Sequence, residues 1–430
     1  MVGHLLRLAA VALLLCSVVA CHTNTPLPTE PDGSRELSLP RSDWANEHIT
    51  SAELRPAIDR SGRYMIRACG PDGQFVYEIN LDPSVVPGPQ YNILRHAGTI
   101  YALAAYYRWQ PGEPTREAML RAADFLKRTS IDAVPEEDDL LAVWSHPEIN
   151  RGDNPLTAKL GGTGLGLVAL TAIERIQPGT TPLDELRRLG RFLVFMQKED
   201  GSFYSKYIPS EGGRSDRWTS LYYPGEAALG LLMLYELDPS PVWFGAAAKC
   251  IDYLARLRSG KRDIEADHWA LLATAKLLEL ADRDDMPVDR DAAVRHAADI
   301  CDSILAGLPR YAPHQAADGC LTRDGRTCPT ATRLEGLLAA LTFLPESYAP
   351  LRARIAQVTG PGIAFLVRAQ TVSGEHEGAI SRMIPRPTDG YARAADPSET
   401  EVRIDYVQHA TSAMIQFDHR SAAAATATER

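Results

Sequence analysis

The stretch Gly164-Leu165-Gly166-Leu167-Val168-Ala169-Leu170-Thr171-Ala172 decides the fold. It carries no charge, and its only polar side chain is a hydroxyl that a helix can satisfy on its own backbone. A helix apolar on every side must be buried on every side. Ala227–Tyr235, Ala270–Leu280 and Leu334–Leu344 read the same way, and Tyr101–Tyr107 and Ala410–Phe417 resemble them. Between these lie segments of a second kind. In Leu183–Gln197 the apolar residues Leu186, Leu189, Leu193 and Met196 recur at helical spacing, with Arg187, Arg188 and Arg191 between them. Leu54–Arg67, Glu117–Arg128, Trp243–Leu257, Asp291–Leu305 and Leu351–Val367 are amphipathic in the same manner, suited to pack on one side and meet water on the other. The two kinds alternate strictly, six and six. Two concentric layers satisfy that order, with the buried six inside. An α-solenoid would leave one face of each helix open, which the all-apolar class argues against.

This layering resembles the (α/α)6 toroid shared by six-hairpin glycosidases, several polysaccharide lyases and uronyl epimerases. The expected fold class is therefore all-α, an (α/α)6 double-layered helical toroid with short hairpin-like links. The links support the repeat. Gln197-Lys-Glu-Asp-Gly201-Ser-Phe203 follows one outer helix, Cys69-Gly70-Pro-Asp-Gly73-Gln-Phe75 another, and Gln370–Ile380, with Gly374 and Gly378, the last. The first is similar to the Q-x-x-x-G-x-W/F element of terpenoid cyclases, which implies a stapling role and no chemistry.

The resemblance implies that the starts of the inner helices line one end of a central cavity. Those starts are unusual. Tyr91, Asn92, Arg95 and His96 open the first, and Lys159 and Thr163 the second. Tyr222, Tyr223 and Glu226 open the third, and Asp267, His268 and Trp269 the fourth. Arg333 and Glu335 open the fifth, and Arg403, Asp405, Tyr406 and His409 the sixth. Ionisable groups at the ends of apolar helices are costly unless paired or used. Flat aromatic faces beside carboxylates and guanidinium groups suit a sugar. The expected catalytic set is Glu226, Asp267, His268, Asp405 and His409. The expected substrate-binding set is Tyr91, Asn92, Arg95, His96, Tyr222, Tyr223, Trp269, Arg333, Glu335 and Tyr406.

Three chemistries fit these residue types. Glycoside hydrolysis needs two carboxyl groups about the scissile bond, and Glu226 with Asp267 is the favoured pair. Lyase or epimerase chemistry on uronic acids needs a base such as His96, His268, His409, Tyr222 or Tyr406, with Arg95 or Arg403 as a carboxylate clamp. Metal binding by His96, Asp267, His268 and His409 has the right ligand types for zinc but no spacing motif, so no metal and no cofactor are expected. Gly161-Gly162-Thr163-Gly164 has no P-loop lysine after it, and its glycines suit close helix packing instead. The acidic run Glu136–Asp139 falls in a link and reads as a solvated turn. The loops Trp144–Asn154 and Tyr204–Trp218 are polar with embedded aromatics, as a substrate-facing rim would be.

The chain's start suggests where it works. Leu8–Ala20 is almost wholly apolar, follows Arg7, and is short for a bilayer span but suited to a signal-peptide core. It ends in Val18-Val19-Ala20-Cys21, which resembles the bacterial lipobox and implies lipidation of Cys21 and a membrane anchor. No aspartate follows the cysteine, so an outer-membrane lipoprotein facing the periplasm or the surface is expected. The expected domains are a signal peptide over residues 1–20, a flexible Pro- and Thr-rich tether over 21–45, the toroid over 46–419 and a disordered tail over 420–430. Apolar residues make up 45%, as in an ordinary globular protein, and the net charge of −10 with no basic stripe argues against a nucleic-acid partner. Of the seven cysteines, Cys320 and Cys328 bracket a polar loop and form the expected disulfide, while Cys250 and Cys301 read as buried core residues. The leading expectation is a cell-envelope enzyme acting on a glycan or oligosaccharide, hydrolase ahead of lyase or epimerase. The alternative is a lipoprotein that binds a glycan without chemistry or scaffolds an envelope assembly.

Overall fold

The computed structural model describes residues 49–151, 155–309, 316–384 and 396–428. The signal peptide, Cys21 and the tether lie outside the described residues. The helices are α1 (Ser51–Ala68), α2 (Ile93–Trp109), α3 (Glu113–Ser130), the single turn α4 (Pro147–Asn150), α5 (Leu160–Glu174), α6 (Leu183–Phe195), α7 (Tyr223–Leu237), α8 (Pro241–Arg258), α9 (His268–Asp284), α10 (Arg290–Ala306), α11 (Thr327–Ala340), α12 (Ala349–Arg368) and α13 (Ile404–Thr428). None of the described helices is long and apolar enough to cross a membrane.

The inner layer is a closed ring. Helix α2 packs on α5, α5 on α7, α7 on α9, α9 on α11, α11 on α13, and α13 returns to α2. These are the six segments that read as apolar all round. In α5 every residue from Leu160 to Ile173 is buried. The glycines of that helix set its distance from α7. A Cβ on Gly164 would lie 2.7 Å from the backbone of Glu226, and one on Gly230 would lie 2.8 Å from the Gly164 carbonyl. The outer six, α1, α3, α6, α8, α10 and α12, each bridge two neighbouring inner helices. Their inward stripes are buried, as with Leu186, Leu189, Phe192 and Leu193 of α6.

The links staple the outer layer. Gln197 donates to the Ala246 carbonyl of α8 at 2.8 Å, and Gln197 and Phe203 form a bridge that closes the turn. Gly201 at its tip has φ +94°, and a Cβ there would come within 2.4 Å of the Lys249 carbonyl. Only glycine fits both demands. Gly378 plays the same part against Arg60 of α1, where the Gln370 amide donates to Ala57 and Ser61. That last staple joins α12 to α1 and closes the outer ring.

Four links carry short strands. Strands β1 (Glu78–Asn80) and β7 (Glu401–Arg403) pair antiparallel beside the start of α13. The links after α3 and α6 contribute β2 (Ile131–Val134), β3 (Glu137–Ser145), β4 (Thr157–Lys159), β5 (Lys206–Ile208) and β6 (Gly213–Ser215), which form a five-stranded sheet in that order. Helix α13 also runs on to Thr428 through an alanine-rich stretch expected to be disordered. Alanine is the strongest helix former.

The expected disulfide is not formed. The described cysteines are free thiols. Cys320 lies 3.1 Å from the hydroxyl of Thr330. Cys328 is two residues before Thr330 on the same helix, and residues two apart do not share a helix face. Its half-buried thiol lies near Asp405, Arg403 and Arg95 instead.

Candidate active site

Helix α9 begins where Asp267 caps it, accepting from the Ala270 amide at 3.0 Å. The other carboxylate oxygen of Asp267 accepts from Arg258 at 2.7 Å, and Arg258 also donates to His296 at 3.3 Å. Asp267 is 0% exposed. Asp267, expected as a catalytic carboxylate, is thus engaged through both oxygens within the fold. Both its oxygens hold structure, and it fixes the start of the helix that presents the next residue, His268.

His268 is buried, and neither of its ring nitrogens has a hydrogen-bond partner among the described residues. Its Nε2 lies 4.0 Å from a Glu335 carboxylate oxygen on α11. The same oxygen accepts from His409 Nδ1 on α13 at 2.8 Å. The two imidazole rings meet nearly perpendicular, 5.4 Å apart, with Trp269 against both. Tyr222, at the head of α7, sets its ring 5.1 Å from His268. Four consecutive inner helices, α7, α9, α11 and α13, thus converge on one cluster.

The two histidines are driven apart in proton affinity. Burial, the neighbouring His409 and Arg333 hold His268 well below the usual histidine range. Burial acts on His409 in the same direction, but Glu335 and Asp405 outweigh it and raise His409 above its ordinary value. Environments that split a pair of like groups in this way suit one to take a proton and the other to give one. One imidazole gives up its proton more readily than an ordinary histidine and the other holds it more firmly.

One turn before His409 on α13, Asp405 is buried between two guanidinium groups. It accepts from Arg95 Nε at 2.7 Å and from Arg403 Nη2 at 3.3 Å. Burial opposes its charge, but Arg95, Arg403 and His409 prevail and hold it below the ordinary aspartate value. Arg95 also donates to the Tyr77 hydroxyl at 2.7 Å, a partner that the sequence reading missed. Tyr77 lies in the link beyond the Gly73 staple, where nothing but its aromatic ring marked it out. Arg403 lies over the Tyr406 ring, and the Tyr406 hydroxyl donates to Glu401.

Glu226, on α7, is 5% exposed and its Oε2 has no hydrogen-bond partner among the described residues. It fits because Gly161 faces it, and a Cβ on that residue would lie 1.9 Å from Oε2. Burial, with Asp267 adding to it, pushes its pKa up to about 8. A shift of that size opposes ionisation by about 5 kcal/mol. Glu226 is thus a neutral carboxylic acid near pH 7. Tyr223 is buried beside it, against Trp218. Arg333 donates to the Pro329 carbonyl of its own helix.

Three expected binding residues belong to the framework. His96 turns away from the ring centre toward α3, where its Nε2 donates to the Ala122 carbonyl at 2.9 Å. Its Nδ1 then accepts from the Tyr91 hydroxyl at 2.7 Å, and Tyr91 accepts from the Phe75 amide. Asn92 caps α2 through the Leu94 and Arg95 amides. All three, expected to bind substrate, have hydrogen-bond partners within the protein. The described donor set closest to a metal site is His268, Glu335 and His409, whose ligand atoms lie within 4.8 Å of one another. Two imidazoles and a carboxylate suit zinc, and the His409–Glu335 hydrogen bond would have to open to admit an ion.

No family profile and no curated protein matches this sequence. Solved structures match its fold. A cellobiose 2-epimerase from Bacillus thermoamylovorans superposes with a TM-score of 0.60 at 13% identity, over 86% of this chain and 98% of its own. A D-mannose isomerase gives 0.57 at 11% identity, over 86% and 98%. A GH76 α-mannanase from Bacteroides thetaiotaomicron gives 0.57 at 10% identity, over 88% and 99%. These are (α/α)6 toroids, and so is this chain.

Proposed function

We propose that the protein is a sugar epimerase or isomerase that moves a proton at the carbon beside a sugar carbonyl. The observation that carries this reading is the pairing of His268 and His409 across 5.4 Å, with proton affinity lowered in the first and raised in the second. Neutral His268 takes the proton from C2 of the open-chain aldose. The C–H electrons form the C1=C2 bond of an enediol as protonated His409 delivers its proton to the carbonyl oxygen. Return of a proton to the other face of C2, with the O1 proton passing back to His409, gives the epimer; return to C1, with the O2 proton removed instead, gives the ketose. Glu335 orients His409 and supports its charge. Fold neighbours include proteins described as a D-mannose isomerase and a cellobiose 2-epimerase, which is consistent with this chemistry.

A hydrolase is the second reading, favoured by one observation. Glu226 is a buried acid with a pKa of about 8, as a general acid requires. Its partner is harder to find, because Asp267 is spent on Arg258 and the helix cap, and Asp405 is clamped by two arginines. The test is incubation of the soluble chain from Ser42 onward with aldoses and with oligosaccharides, products being read by mass and chromatography. New peaks of unchanged mass support the epimerase reading. Products heavier in sum by one water per cleavage reject it for the hydrolase.

The place of action remains the reading of the N-terminal sequence, a lipid on Cys21 and the outer membrane. Cys21→Ser is expected to release the protein from the membrane fraction or stop its processing. Normal maturation and retention of that variant would contradict the anchor.

A further inference from the structure

The geometry points to an anion-binding subsite at the rim of the ring, built from Lys159 and Lys206, that receives a carboxylate, sulfate or phosphate group on the sugar. This rests on the reading of the ring mouth as a sugar site and adds the substrate's charge to it.

Lys159 ends β4 and caps α5, and Lys206 begins β5. The two strands are antiparallel, and these residues are direct partners in the register. Residues opposite one another in such a pair point to the same face, and like charges there destabilise the sheet. The flanking pair, Ala158 and Tyr207, points to the other face, where Tyr207 packs on Trp144, Phe192 and Phe195. The lysines are thus directed away from that packed face. Among the described residues neither lysine has an ion-pair or hydrogen-bond partner for its ammonium group. Lys206 instead lies over the half-exposed indole of Trp218, 4.9 Å from the ring centre. Arg95 stands near enough to Lys159 to add a third positive charge, and it is itself committed to Asp405. Burial, Lys206 and Arg95 all press the Lys159 ammonium below the ordinary lysine value.

A pair of unneutralised cations is a standing cost to the fold, and costs of this kind are kept where function needs them. The sequence reading assigned the carboxylate clamp to Arg95 or Arg403. Both are already spent on Asp405. Lys159 and Lys206, unlike Arg95 and Arg403, have no carboxylate partner among the described residues, and an anion between them would cancel the repulsion and gain two charge-assisted hydrogen bonds. Trp218 offers an adjacent flat face for the ring that carries the anion.

The experiment is calorimetric binding to the soluble chain, which needs no turnover. Probes are glucose, glucuronate, glucose 6-sulfate and glucose 6-phosphate, with the galacto and manno counterparts. At least one acid should bind about tenfold or more tightly than its neutral parent, and the best acid identifies the group. Lys159→Met and Lys206→Met should each remove most of that preference, leave neutral sugars unchanged, and keep or raise the melting temperature. Equal binding of acids and neutral sugars, no binding of any acid, or full acid preference in both variants overturns the subsite. Acid binding without proton exchange on any sugar would instead count against the epimerase reading alone.

Discussion

His96 and His268 both stand near the start of an inner helix, both are buried, and burial lowers the proton affinity of both. They differ in their nitrogens. Those of His96 are both bonded, to Tyr91 and to the Ala122 carbonyl. Neither nitrogen of His268 is bonded among the described residues. A buried polar group with its partners in place stabilises a fold, and one without them is a cost that the fold does not explain. The comparison teaches that burial and residue type do not identify a catalytic histidine. The fate of its nitrogens does.

The comparison breaks most sharply at the reacting pair. His268→Gln and His409→Gln should each lower kcat by about 100- to 10,000-fold, with little change in melting temperature for His268→Gln, since no internal bond is lost. A collapse in stability with normal turnover would place His268 with His96. Next in size is Asp267→Ala, which strands Arg258 and should cost about 3–5 kcal/mol in denaturant unfolding, with turnover lowered only by the misplacement of His268. His96→Ala removes the acceptor of the Tyr91 hydroxyl proton and a donor to the Ala122 carbonyl, and opens a cavity. It should cost about 2–4 kcal/mol of stability while the folded fraction turns over normally. The smallest effect is the pH profile. His268 must be neutral, and its affinity is lowered, so the acid limb of the rate lies well below pH 6.5. His409 must be protonated, and its affinity is raised, so the alkaline limb lies above 6.5. A profile whose limbs both fall below pH 6 would contradict the assignment of acid and base.

The fold was legible because the two helix classes differ in a property that needs no alignment, and α1 to α13 place all six outer and all six inner segments as the sequence suggested. The rotation of the inner helices was not legible. An amphipathic helix reports which way it faces, whereas one apolar all round carries no such phase. Nothing in Asn92–Gly98 shows that His96 turns outward, and nothing in Asp267–Ala270 shows that Asp267 is consumed by Arg258, nine residues earlier on α8. The sheet was also hidden, since β4, β5 and β6 are three residues each and too short to show alternation. The Lys159–Lys206 pair depends on their register and becomes visible only with it.

The central claim is proton transfer at carbon by His268 and His409. It is tested most directly by incubating the soluble chain in D2O with mannose, cellobiose and the glucuronate and galacturonate series, and reading deuterium at C2 by NMR. The account predicts loss of the C2 proton signal with one deuterium incorporated, and no incorporation with His268→Gln. Glycosidic cleavage without exchange at C2, or exchange that persists in that variant, would contradict it.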